Sequence, residues 1–330
     1  MVFEREIVKG CEIILDDCGD LKPNEKVLIV SDDTTSAIGE LLYSMAVRRA
    51  RNAIHLVVPL FETHGMEPPR EVAESMTGMD LICGLTRMSI AQSEACRDAI
   101  LTGSRYLSLA DYSYDVLLSK ALRAEFRSIT PTAHYIADAF TMADTITLLT
   151  DAGSFLSCGI AGRSGNAAPG WCYAPGVIAS PPDCEANIAV IERRSSGRLV
   201  VDGSITHPRL GLLVAPIEIS IEEGHIIGIS GYHAEILESL IAEANDQRAW
   251  TIAEFGVGLN PLASLCGKML EDEGTLGTVH IGIGSNWGIG GANRVPFHLD
   301  MVIRGPTVLL DGTTVIKNGL IVSRKILDGT

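Results

Sequence analysis

Short apolar runs alternate with stretches of helical spacing through the first half of the chain. Residues 26–30 (KVLIV) form an apolar run that enters the polar turn Ser31-Asp32-Asp33. Positions 34–50 then place Ile38, Leu41, Leu42, Met45 and Ala46 on one stripe, the spacing of an amphipathic helix. The alternation continues with predicted strands at 53–60, 80–85 and 106–110 and predicted helices at 69–76, 90–101 and 114–126. Strands at this interval, separated by helices, predict a mostly parallel sheet covered on both faces. No GxGxxG follows a strand, so the dinucleotide-binding fingerprint is absent. A long connecting helix is predicted over 132–149, and its end marks the boundary between an α/β domain, 1–149, and a second domain, 150–330.

The second half has a different texture. Glycine is dense, and short strands succeed one another with turn residues between them: 187–191, 198–205, 210–215, 217–221, 225–230, 251–257, 278–284, 299–303, 307–310 and 314–322. Helices are predicted only at 233–244 and 261–270. Asp311-Gly312 and Asn318-Gly319 supply hairpin turns in VLLDGTTVIKNGLIV. This pattern predicts an α+β domain rich in antiparallel strands.

Composition narrows the function classes. The chain has 330 residues, 46% hydrophobic and 20% charged, enough for two domains that each bury a core, and too apolar for disorder. Its 26 basic and 41 acidic residues give a net charge of −15. That balance lacks the basic footprint of a nucleic-acid binder, and an anionic membrane surface repels it. The eight cysteines show no CxxC spacing, which points to buried thiols in a reducing compartment rather than to a zinc ribbon or a disulfide framework. With no signal-peptide layout at the N-terminus and no apolar run of membrane-spanning length, a cytoplasmic location is expected.

The acidic excess is either solvated surface or, in part, a set of cation ligands. Four places put ionisable residues into apolar or glycine-rich strand surroundings. Glu254 lies in TIAEFGVG, His280 in TVHIGIG, His298 and Asp300 in HLDMVI, and Glu185 between PPDC and ANIAV. In a strand, residues i and i+2 face the same way, so His298 and Asp300 point together while Leu299 packs behind them. Imidazole beside carboxylate is half of a divalent-metal site, although the pair can also be a simple hydrogen-bonded couple. A buried charge without a partner costs several kcal/mol, and a shared cation satisfies all four places at once. Gly282, Gly284, Gly288, Gly290 and Gly291 crowd the stretch from His280 to His298, either as plain turns or as a loop that lets a ligand approach. Trp287 within it offers a flat wall to an apolar or aromatic group. Arg163 either anchors an anionic substrate group or is an exposed loop arginine.

At these residues the chain resembles the aminopeptidase T-like superfamily of metallo-aminopeptidases, which also contains iron-dependent 2,5-dihydroxypyridine 5,6-dioxygenases. The resemblance is strongest over 150–322. It rests on Gly162-Arg163, on the stretch from Pro182 to Glu185, on Ala253-Glu254 with Asn260-Pro261, on VHIGIG at 279–284 and on His298-Leu299-Asp300. It implies that Glu185, Glu254, His280, His298 and Asp300 hold a pair of divalent ions, zinc, manganese or cobalt, whose bridging water attacks an amide. Glu185 and Trp287 then take catalytic positions, and Arg163 and Trp287 contact a small-molecule or short-peptide substrate in a homodimer.

Two departures separate the possibilities. The peptidases carry a tyrosine where this chain has Trp287, and an indole cannot serve as a phenolic acid. The dioxygenases hold one Fe(II) with two histidines and an aspartate, and the first of those histidines matches Glu254. The five-ligand set favours a metallohydrolase of an amide or peptide-like C–N bond. The alternative is an Fe(II)-dependent dioxygenase that opens a dihydroxypyridine-type N-heterocycle.

Overall fold

The structure, a computed structural model, describes residues 2–322. Lys26–Asp32, Leu81–Leu85 and Arg105–Ser108 are apolar runs buried along nearly their whole length, the mark of strands covered on both faces. They form a five-stranded parallel sheet in the order Asn52–Val58, Lys26–Asp32, Leu81–Leu85, Arg105–Ser108, Ile178–Ala179. Leu28, Val30, Ile82 and Tyr106 meet Val72, Met76 and Cys96 from the helices Arg70–Met76 and Glu94–Leu101 in one buried cluster.

The rest of the chain builds two antiparallel sheets. One has eight strands, running from His225–Gly231 at one edge through Phe155–Gly159 and Thr145–Leu149 to Leu320–Ile321 at the other. The other has seven, with His298–Arg304, Thr278–Gly284, Ile252–Gly258 and Glu185–Ala189 side by side at its centre. The hairpin turns read from Asp311-Gly312 and Asn318-Gly319 are present, and all four residues adopt the positive φ such turns require. None of the eight cysteines, all among the described residues, forms a disulfide, and seven are buried. No helix among the described residues is long and apolar enough to cross a membrane.

Three sequence expectations need correction. The helix placed at 132–149 is the helix Phe126–Met142 followed by the strand Thr145–Leu149. The β-branched pattern TIT, with alternate residues buried, overrides the helical continuation. The helix at 261–270 is a turn that ends in the four-residue helix Met269–Asp272. The buried Asp272 carboxylate accepts from Cys266 N at 2.7 Å and Gly267 N at 2.9 Å, and Gly267 has φ +83°, so the backbone closes a loop instead. The chain also does not divide by one cut at 149. One compact unit comprises residues up to Ser128 with Ala168–Pro182, and the other comprises Ile129–Ala167 with Asp183 onward. The excursion 168–182 returns to the first unit because its Ile178–Ala179 strand completes the parallel sheet beside Arg105–Ser108.

Candidate metal centre

The centre of the seven-stranded sheet has two unlike faces. On one, Ile188, Phe255, Ile281 and Met301 stand directly beside one another across four strands, all fully buried. Phe255 meets Phe140 of the helix Phe126–Met142 edge to face, with ring centroids 6.0 Å apart. Truncating such a buried ring typically costs about 3–5 kcal/mol, so this side fixes the strands in place.

The opposite face carries the ionisable residues, and each stands beside a glycine. Gly282 lies between Glu254 and Asp300, Gly256 between His280 and Asn187, Gly284 beside His298 and Gly258 beside Glu185. A Cβ on Gly282 would stand 2.8 Å from the Glu254 Cβ and 2.9 Å from both Asp300 Oδ1 and His298 Cε1, and one on Gly256 would run into the His280 ring. The ligand-type side chains therefore lean over glycine positions toward one another.

What converges is a pair of trios that share Glu254. In the inner trio, His280 Nε2 lies 3.0 Å from Glu185 Oε2 and 3.8 Å from Glu254 Oε1. In the outer trio, His298 Nε2 lies 3.0 Å from Asp300 Oδ2 and 3.4 Å from Glu254 Oε2. Glu185, Glu254, His280 and Asp300 are buried, whereas the His298 side chain is 35% exposed. His298 Nδ1 is 2.8 Å from the Ser285 carbonyl. A carbonyl only accepts, so Nδ1 carries the hydrogen; Nε2 points at the carboxylates, donating to them while the ring is charged and offering a lone pair to a cation once it is neutral. Asn187 donates to Glu185 Oε1 at 2.6 Å.

The electrostatic demand of this pocket is for positive charge. Burial works against the charged form of His298, but Asp300 and Glu254 outweigh it and hold the ring up to about 10. Burial likewise opposes ionisation of Asp300, yet the His298 ring brings that carboxyl down to about 2. His280 is raised well above the ordinary histidine range by Glu185 and Glu254 despite its burial. Glu254 is raised, by burial first.

Two further acids belong to this neighbourhood. Asp183 and Glu273 are pushed well up, first by burial and then by the charges of Glu185 and Asp300 respectively. Asp183 Oδ1, Asn187 Oδ1, Glu273 Oε1, Asp300 Oδ1 and His280 Nδ1 are all buried without a hydrogen-bond partner, and Glu185 Oε2 has the His280 ring beside it. So many acceptors with nothing donating to them fit a cation, and carboxylate with imidazole is a donor set suited to iron, zinc or manganese.

The structure thus brings together Glu185, Glu254, His280, His298 and Asp300, and it sets the other two candidates apart. Arg163 is neither a free anchor nor a solvated arginine. Its guanidinium clasps both oxygens of Glu192 at 2.9 and 3.0 Å and donates to the Gly290 carbonyl at 2.6 Å. Trp287 is 58% exposed on the short turn Trp287–Ile289, with the Arg294 guanidinium 5.6 Å from its ring centroid. Asp183 and Asn187 were not among the sequence candidates. Only Asn187 had a readable pointer, its i+2 spacing from Glu185 in one strand.

A parallel α/β unit joined to antiparallel sheets that carry this face is the aminopeptidase T-like fold. Wild-type AmpT from Thermus thermophilus has it, with a TM-score of 0.70 at 14% identity over 97% of this chain and 100% of that one. So does a 2,5-dihydroxypyridine dioxygenase from Pseudomonas putida KT2440, with a TM-score of 0.83 at 21% identity over 97% of each chain. The family profile NicX, 2,5-dihydroxypyridine 5,6-dioxygenase, matches residues 7–323, and the chain belongs to that family. A curated 2,5-dihydroxypyridine 5,6-dioxygenase from Pseudomonas putida KT2440 is 31% identical over 143 residues, a stretch spanning 40% of this chain and 41% of that protein.

Proposed function

We propose that the protein is a metal-dependent dioxygenase that opens a dihydroxylated N-heterocycle of the dihydroxypyridine type, with one Fe(II) held by Glu254, His298 and Asp300. The observation that carries this is the outer trio, oriented and open to solvent, in a chain whose family profile spans residues 7–323. It reverses the weight that the five-ligand count gave to hydrolysis. Bound there, Fe(II) supplies a site at which O2 and a ring hydroxyl meet.

The protein's own residues supply the rest. Ser285 O keeps His298 Nε2 turned inward. His280 and Glu185, 3.0 Å apart, form the couple that takes the proton from a substrate hydroxyl at Glu185 Oε2. Trp287 provides a flat surface on which the ring stacks. The substrate is a small molecule, and the working assembly is a cytoplasmic homodimer.

One observation favours a second reading. Glu254 serves two trios, and an imidazole with two carboxylates in each suits a pair of zinc, manganese or cobalt ions better than the two-histidine, one-carboxylate triad of Fe(II) oxygenases. That arrangement belongs to a hydrolase of an amide or peptide-like C–N bond. Metal quantification on protein purified without chelators, paired with oxygen-electrode assays, separates the two. One iron per chain and O2 uptake on 2,5-dihydroxypyridine support the dioxygenase. Two zinc, manganese or cobalt ions per chain, with O2-independent cleavage of aminoacyl-arylamides, overturn it in favour of the hydrolase.

A further inference from the structure

The stretch 285–293 links the strand of His280 to the approach to His298, and it is held by a set of polar contacts that runs from the buried interior to the surface. Asn286 and Asn293 are both buried. Asn286 Nδ2 donates to Val190 O and to Glu192 Oε1, each at 3.1 Å, and its Oδ1 accepts from Asn293 N at 2.9 Å. Asn293 Nδ2 donates to Gly284 O at 2.6 Å. Glu192 Oε1 also accepts from Ala292 N at 2.6 Å, and Arg163 grips the carboxylate in a fork while its other end donates to Gly290 O. Gly291 has no room for a Cβ because the Asn286 amide lies against it.

This assembly reaches a ligand-type side chain through Ser285. Ser285, the residue before Asn286, offers its carbonyl to His298 Nδ1 at 2.8 Å. We propose that Arg163 and Glu192 are positioning residues: through Asn286 and Asn293 they clamp the 285–293 loop so that Ser285 O holds His298 in the tautomer and rotation that aim Nε2 at Asp300 and Glu254. The inference rests on His298 being a metal ligand. It assigns Arg163 a function without substrate contact, and it makes Glu192, on no strand of the metal centre, a determinant of metal affinity. Groups that orient a ligating imidazole through its second nitrogen commonly change metal affinity by about 10–100-fold when removed.

The test titrates Co(II) into metal-free full-length protein and follows affinity by calorimetry and coordination by the visible absorption spectrum. Asp300→Ala serves as the control that removes a proposed ligand outright. Glu192→Gln keeps the shape of the side chain but replaces one clasped oxygen with an amide, and Arg163→Ala removes the fork. Both variants are expected to weaken Co(II) binding by ~10–100-fold and to alter the spectrum, with a melting transition that stays cooperative. If Arg163→Ala does not fold, Glu192→Gln decides alone. Wild-type affinity and an unchanged spectrum in Glu192→Gln, with binding lost in Asp300→Ala, overturn the clamp and leave the metal site standing. Unchanged binding in Asp300→Ala as well overturns both.

Discussion

The two trios around Glu254 draw on the same residue types, yet they are finished differently. The inner one is sealed: His280 is 1% exposed, and its Nδ1 meets no hydrogen-bond partner. The outer one is open: the His298 side chain is about one-third exposed, and its Nδ1 is already committed to Ser285 O. An imidazole oriented through its second nitrogen is ready to ligate, whereas His280 takes its orientation from carboxylates alone. In the proposed reading, metal and substrate exchange at the outer trio and the inner one stores the proton.

The largest expected effect is that of Asp300→Ala. It removes a donor from the outer trio and should lower activity by more than ~100-fold, with loss of bound iron measured by metal quantification. If His280→Gln produced that loss and Asp300→Ala did not, the roles of the two trios would be exchanged. Next comes Gly282→Val, which sets a branched side chain between Glu254 and Asp300. Metal affinity by calorimetry should fall by tens of fold and the melting temperature should drop with it, because a Cβ there would stand 2.8 Å from the Glu254 Cβ.

His280→Gln sharpens the contrast further. The protein should still bind one metal ion per chain while kcat falls by about 10²-fold, the scale of a lost proton-transfer group. A drop from two bound ions to one would instead support the hydrolase. The smallest effect concerns pH. Burial opposes the charge of Glu192, but hydrogen bonds from Ala292 and Asn286 and the charge of Arg163 hold its carboxyl below the ordinary 4.5. The clamp therefore contributes in full above that value and is lost as pH falls through the lowered one. Trp287 fluorescence should stay constant from pH 7 to 5 and change only below the ordinary glutamate pKa.

Much of this centre was legible before the structure. Glu254, His280, His298 and Asp300 stood out because each interrupts an apolar or glycine-rich strand, and a lone charge in such surroundings demands a partner. The i, i+2 rule placed His298 and Asp300 on one face, and they are there. Asp183 and Glu273 were hidden for opposite reasons. Asp183 follows Pro181-Pro182 as an ordinary turn acid would, and Glu273 ends the Glu271-Asp272-Glu273 run that reads as a solvated helix end. Arg163 and Glu192 are separated by 29 positions, and nothing local announces that they clasp. The parallel sheet was readable from its apolar runs, but not its fifth strand, because Ile178–Ala179 is too short for any periodicity. The strand Thr145–Leu149 was lost to an overextended helix although its β-branched pattern was on display.

The glycines beside the ligand positions have a thermodynamic side. Gly256, Gly258, Gly282 and Gly284 sit in two neighbouring strands at the middle of the sheet. Each gives up more chain entropy on folding than another residue would, roughly 0.5–1 kcal/mol relative to alanine. The acids they make room for repel one another as well. These costs oppose ordering on this face of the sheet, and a cation that binds only the folded form would stabilise it by about 2.7 kcal/mol at a free concentration one hundred times its Kd. With the proposed metal site, the melting temperature of this protein is expected to rise with the concentration of the ion around it.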